Sequence, residues 1–478
     1  MPDFAPVEYV IAATPFAAAA GGVAWQRYAP HSFWYGVGYP LKAAQVYGTW
    51  HHVASGCGLT RRRRALRWSA EAFPGMAPVF RHRRRLGRVQ IDKAPRLGVI
   101  RPTARGLRVP MRLHDGQTPD DVRAALDRLA HAWRVHAVRL HSWKPGRVTL
   151  LVTGADPLVD VDLADLSAGL LTVVPAVLET GEPFVMDFRA VPHWLITGAT
   201  NSGKSTLINA LIMGLTTQLA SGEALTGEPA EYEGQGVALV GFDLKGGVEF
   251  TPYEARMSAL ATERADCLAL LDQLIDIVRA RMALCRRHRA RNIWHPRISA
   301  DVRPTPIVVL IDEIAELFLM ADKSQKEEVT RAATALLRLA QISRAFGVYL
   351  VVCGQRVGSD LGSGVTALRS QLSGRICHRV NDEATAEMTL GDMDRAALAA
   401  ARQIPANMPG VAVVIGSDGL WHRARSAYRT EEQAEDAAAF YAPLAPEWKT
   451  LLAEIDTAGE LPELDAFESE FSDATTPI

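Results

Sequence analysis

Short, uninterrupted apolar runs separated by longer stretches of helical periodicity organise this chain. Trp194 to Ile196, Val237 to Phe242, Pro306 to Ile311, Val348 to Cys353 and Val411 to Ile415 lack the in-out alternation of half-exposed strands. They read as strands covered on both faces. Between them, Ala261 to Arg289 and residues 325–345 repeat apolar positions at helical spacing. Strands alternating with helices predict an α/β fold, with a parallel, doubly wound sheet and right-handed crossovers. Pro183 to Phe188 adds a strand just ahead of this series, and the glycine- and glutamate-rich stretch from Leu219 to Gly236 reads as a surface connection.

The region upstream has a different texture. Thr118-Pro119-Asp120-Asp121 opens a helical pattern (Val122, Ala125, Leu126, Leu129, Trp133), its acids suited to the positive end of the helix dipole. Ala137 to His141 and Val148 to Val152 read as strands around the hairpin signal Lys144-Pro145-Gly146. No catalytic constellation stands out there, and a packing or ring-forming role is favoured. Residues 7–25 and the stretch from Phe33 to Ser55 are apolar and near bilayer-spanning length, although neither is strongly hydrophobic. Arg61 to Arg64, Arg67, Arg81, Arg83 to Arg85 and Arg88 follow. Apolar segments before such a cluster read as a membrane hairpin or membrane-surface segment with a cytoplasmic stop. The alternative is packed helices with a solvated or DNA-facing arginine patch. Four segments are therefore expected: 1–95, apolar then arginine-rich; 96–182, a small α/β domain; 183–428, the main α/β domain; and 429–478, an acidic tail, partly disordered.

Composition adds three constraints. Of 478 residues, 48% are hydrophobic and 22% charged, which is globular rather than disordered. A net charge of −1 conceals an arginine-rich amino end and an acidic carboxyl end. Cys57, Cys267, Cys285, Cys353 and Cys377 form no C-x-x-C pair, which points to a reducing compartment and no zinc site. Asp3 and Glu8 argue against a secretory leader.

The chemistry concentrates after the strand at Trp194. Gly198, Ala199, Thr200, Asn201, Ser202, Gly203, Lys204 and Ser205 fit G-x-x-x-x-G-K-[ST], and Thr206 begins a helix. Strand, glycine loop and helix make a phosphate cradle of backbone N–H groups at a positive helix end. Lys204 is placed to reach the β- and γ-phosphates of ATP, and Ser205 to ligate Mg²⁺. The run ending Ile311-Asp312-Glu313 supplies two acids. Asp312 is the metal-side carboxylate, with Ser205, and Glu313 the base that polarises the attacking water. Gln355 follows another strand and is the candidate γ-phosphate sensor.

Together, the segment from His193 to Leu211, Asp243-Leu244-Lys245, Val308 to Leu317 and Arg338 to Arg356 resemble the FtsK/SpoIIIE DNA translocases. The resemblance covers roughly residues 96–416 and is most like the conjugative plasmid transfer proteins of actinobacteria. It implies a RecA-like ATPase fold, assembly as a homo-oligomer (a hexameric ring) and transport of double-stranded DNA in conjugative plasmid transfer or chromosome segregation, at the cytoplasmic side of the membrane, or in the cytoplasm where the amino-terminal segment does not insert. It also implies an arginine supplied to the neighbouring subunit, for which Arg375 is the candidate and Arg344 the alternative. Two departures stand out: the carboxyl end is acidic where members often carry a basic winged helix, and the amino end is short for a multi-span anchor. Lys245 with Gly246-Gly247, and the segment Val357 to Thr366, are candidate DNA-facing loops or, equally, nucleotide-site scaffolding. The competing readings are a ring ATPase of a protein-export system and a nucleotide-dependent scaffold without turnover.

Overall fold

A computed structural model describes residues 28–72, 82–103, 106–154, 165–319, 325–358, 363–391, 395–415 and 419–459, with a few isolated positions between them. It divides into two compact units, one ending at Pro157 and the other beginning at Leu158.

In the amino-terminal unit, a helix α1 (Tyr39–Gly56) precedes a long antiparallel ribbon of β1 (Arg61–Ala72) and β2 (His82–Lys93). Then come β3 (Arg96–Leu97), β4 (Arg101–Thr103), β5 (Gly106–Arg112), helix α2 (Leu126–Trp133), β6 (Ala137–Lys144) and β7 (Arg147–Thr153). The sheet order is β3-β5-β7-β6, with β4 also on β5. Alternation decides its faces: Leu107, Val109, Met111, Val148, Leu150 and Val152 are buried against α1 and α2.

The stretch from Phe33 to Ser55, expected as a membrane hairpin or membrane-surface segment, lays one face of its helix on this core. Ala43, Val46, Trp50, Val53 and Ala54 form a buried stripe, while Leu41 and Tyr47 on other faces are exposed. A helix with a single apolar stripe belongs on a core. Trp50 packs 5.9 Å from Trp133 and donates its indole N–H to the Pro95 carbonyl. No helix among the described residues is long and apolar enough to cross a membrane; residues 7–25 lie outside them. The arginines expected as a juxtamembrane stop lie on the ribbon, Arg61 to Arg64 and Arg67 on β1, Arg83 to Arg85 and Arg88 on β2, while Arg81 lies outside the described residues.

The second unit is one large sheet. Its strands are β8 (Ser167–Gly169), β9 (Thr172–Leu178), β10 (Pro183–Asp187), β11 (His193–Thr197), β12 (Ala238–Phe242), β13 (Ala259–Ala261), β14 (Ile307–Ile311), β15 (Val348–Gly354), β16 (Gly374–His378), β17 (Val411–Ile415) and β18 (Trp421–Ser426). The order is β10-β9-β18-β17-β16-β11-β15-β14-β12-β13, with β8 on β9. From β16 to β13 all pairings are parallel, as predicted; from β10 to β16 they are antiparallel.

Continuous apolar runs in the parallel half follow from cover on both faces. Val308 and Leu310 of β14 face helix α3 (Lys204–Thr216), while Ile307, Val309 and Ile311 pack with helices α4 (Arg264–Arg287) and α5 (Lys326–Ile342). The boundary expected near residue 182 differs from the break after Pro157, because β9 pairs with β18, far along the chain. The acidic carboxyl end is also more ordered than expected. Helices α6 (Glu431–Phe440) and α7 (Trp448–Ala458) belong to this unit, and Trp448 donates its indole N–H to Gln273 on α4 at 2.7 Å. Residues 460–478 lie outside the described part.

Candidate functional site

The carboxyl ends of β11, β15, β14 and β12 lie side by side, and every strongly signalled residue sits at one of them. After β11 the chain turns through the glycine loop into the helix beginning at Lys204. Two glycines are required there by geometry. A Cβ on Gly198 would lie 2.7 Å from His378 Cβ, and one on Gly203 would lie 1.9 Å from the Gly410 nitrogen. Gly203 also has φ of 94°, a region unfavourable to side chains. The loop is tied from outside: Ala199 N–H donates to the Arg379 carbonyl and Gly410 N–H to that of Ser202, each at 2.9 Å. No side chain caps the helix, so its first N–H groups face the loop cavity. The buried Ser202 hydroxyl has no hydrogen-bond partner either. Ala199, Thr200, Asn201 and Thr206 stand partly or fully exposed around this cradle.

Lys204 is buried and donates to Asp312 twice, to the backbone oxygen and to Oδ1, both at 2.8 Å. Burial works against its ammonium, but the neighbouring Asp312 and Glu313 carboxylates raise its pKa above the ordinary lysine value. Lys245 Nζ lies 3.2 Å from Asp312 Oδ2 and 3.4 Å from Glu313 Oε2. Glu313 Oε1 accepts from the Gln355 N–H at 3.2 Å, while the Gln355 side chain is exposed. Ser205 Oγ donates to Glu249 Oε1 at 3.2 Å. Gly198, Lys204, Ser205, Asp312, Glu313 and Gln355 are thus gathered in one place.

The two arginines are not gathered with them. Arg375, half-buried on β16, donates to the carbonyls of Thr389, at 3.1 Å, and Arg369. Burial lowers its pKa to about 10. Arg344 precedes β15, at the amino ends of the strands and so opposite the loop; it is exposed, and its guanidinium donates to the Arg189 carbonyl at 3.4 Å.

Lys245, expected to face DNA or to scaffold the nucleotide site, bonds the two acids, while Glu249 and Arg379 were not among the candidates. Glu249 reaches Ser205 because the buried Asp243 accepts from the N–H groups of Lys245 and Phe250 and folds the turn between them. Arg379 donates to the Thr200 carbonyl at 3.3 Å. Only the acid-bearing turn after β12 carried any signal, since none of the three lies in the glycine-loop motif.

Residues 20–154 match the actinomycete conjugal transfer protein N-terminal domain, and residues 164–359 match the FtsK/SpoIIIE family. The transfer protein TraSA of Streptomyces ambofaciens is 39% identical over 396 residues, covering 80% of this chain and 91% of that protein. The chain belongs to the FtsK/SpoIIIE family. Among other FtsK/SpoIIIE relatives, the DNA translocase FtsK of Treponema pallidum is 30% identical over 251 residues, covering 49% of this chain but 29% of that one. In fold, the FtsK/SpoIIIE chain is similar to the pCW3 conjugation coupling protein TcpA, solved in a monomer form with ATPgS. The TM-score is 0.50 at 20% identity, covering 72% of this chain and 93% of the other. Family membership makes the chain an ATPase.

Proposed function

We propose that this chain is an ATP-driven translocase that moves double-stranded DNA through a homo-oligomeric ring, a hexamer, in conjugative plasmid transfer. The observation carrying this reading is the meeting of Lys204, Asp312 and Glu313 at adjoining strand ends, within a chain similar to a transfer protein over most of its length.

ATP is the substrate. Its triphosphate lies along the loop N–H groups, with Lys204 on the β- and γ-phosphates. The Ser205 hydroxyl and the Asp312 carboxylate are hard oxygen donors and fit Mg²⁺, which usually takes one or two protein ligands beside phosphate oxygens. Mg²⁺ would supply charge neutralisation on the phosphates. Glu313 accepts a proton from the attacking water, and the Gln355 backbone N–H fixes the orientation of its carboxylate. Gln355, with its side chain exposed at the next strand end, senses the γ-phosphate.

A guanidinium donated by the neighbouring protomer stabilises the charge developing on the γ-phosphoryl oxygens and makes turnover depend on assembly. Such a residue must be exposed and away from its own pocket. Arg344 meets both conditions better than Arg375, whose guanidinium is committed to carbonyls of its own chain. The test is ATPase rate with and without long linear duplex over a range of protein concentrations. A cooperative rise with both supports the reading; no stimulation by duplex at low salt, where the protein assembles, overturns it.

A further inference from the structure

The face of the amino-terminal sheet turned away from α1 and α2 carries a row of like charges at its Arg112 end. Arg96 on β3 stands opposite Arg112 on β5, Arg112 opposite Arg147 on β7, and Arg147 opposite Lys144 on β6. All four are exposed, and none has an ion-pair partner among the described residues. Met111 and Val148, one position along, are buried beneath the helices, so the cations occupy the opposite face. Arg101, opposite Arg108, extends the same face.

Like charges directly opposite one another weaken a sheet. Among the described residues the carboxylate beside the row, Asp115, is paired with Arg63 and none pairs with the four cations, which points to an anionic ligand. At a strand spacing of about 4.8 Å the row is about 14 Å long. The row borders a cavity of about 570 Å³ that the half-exposed Trp143 also lines.

We propose that this face docks the sugar-phosphate backbone of double-stranded DNA, as a contact surface additional to the motor unit. The inference rests on the reading that the chain works on DNA. B-form duplex presents one charge per about 3.4 Å along each strand, so the row spans about four phosphates of one strand. Guanidinium groups bind phosphate oxygens in pairs. A hollow with cations along it accepts a rod of phosphates, whereas a flat bilayer would bridge its mouth. The contacts are blind to sequence.

The test uses the full chain and the triple variant Arg112→Ala, Lys144→Ala, Arg147→Ala. Binding of a labelled random-sequence duplex is followed over a salt series, beside vesicles containing phosphatidylserine. The variant is expected to bind duplex at least about tenfold more weakly. Its slope of log affinity against log salt should shrink by up to about 2.7, or 0.9 per lost phosphate contact. Its melting temperature should not fall, because a repulsive row has been removed. Equal affinity and slope in variant and wild type overturn the proposal, as does loss of vesicle binding with duplex binding intact. If the wild type itself neither binds duplex nor is stimulated by it, the motor reading has failed. If it does both and the variant matches it, only this inference has.

Discussion

The Gln355 backbone N–H and Glu313 Oε1 are 3.2 Å apart, so the candidate base is held by the strand that carries the candidate sensor. Its other oxygen lies 3.4 Å from Lys245 Nζ. Glu313→Gln keeps an acceptor for Gln355 but removes the base. Turnover should fall by about 10²–10⁴-fold while ATP binding survives. Phosphate release, measured beside titration with a fluorescent ATP analogue, reads both quantities; turnover near the wild-type rate would remove Glu313 from its role.

Arg344 and Arg375 differ in what holds them, and their alanine variants should part accordingly. Arg375→Ala strips two carbonyls of their donor and should cost about 1–3 kcal/mol of stability along with any loss of activity. Arg344→Ala should leave stability within about 0.5 kcal/mol but lower turnover of the assembled protein by about 10³-fold. Mixing Arg344→Ala protomers with Glu313→Gln protomers should restore part of the activity, since an intact pocket then meets an intact arginine. Failure of the mixture to recover any turnover argues against action in trans.

Two histidines set a pH dependence. Burial pushes both His193 and His378 down to about 4, with Arg344 and Lys204 respectively adding repulsion. The Leu350 N–H donates to His193 Nδ1 at 3.1 Å, as a neutral ring requires. The unfolded chain takes up protons near the ordinary value of 6.5 and the folded chain refuses them until about 4. Stability is therefore complete above 6.5 and is lost as pH falls towards 4, by up to about 1.4 kcal/mol per pH unit for each ring. Urea midpoints across this window should drop steeply, and His193→Asn should make the drop shallower. A flat profile in the wild type would contradict the neutral, buried state.

Arg281 is buried and donates to both oxygens of Glu454, at 2.8 and 2.9 Å, and to the carbonyls of Phe346 and Thr305. Glu454→Ala leaves that guanidinium without its counter-charge, at a cost of about 3–5 kcal/mol. Calorimetry of the full chain checks this. An unchanged melting transition would mean that the Arg281–Glu454 pair adds nothing to the stability of the second unit.

The nucleotide loop, the acidic strand end and the parallel half of the sheet were legible in the sequence. Each is written over a few consecutive residues: an apolar run needs cover on both faces, and a glycine loop followed by a helix leaves N–H groups facing inward. The roles of Lys245 and Glu249 were not legible, because they depend on how the Asp243 carboxylate folds the turn after β12. Nor was the domain boundary, which β9 decides by pairing with β18 from the far end of the chain. The stretch from Phe33 to Ser55 shows the same limit. Its apolar content is local, but whether that content meets lipid or a sheet depends on partners such as Trp133, which lie far along the chain. Short-range pattern determined which chemistry this protein holds. Long-range pairing decided which side chains share a face, and so produced both the pocket and the row from Arg96 to Lys144.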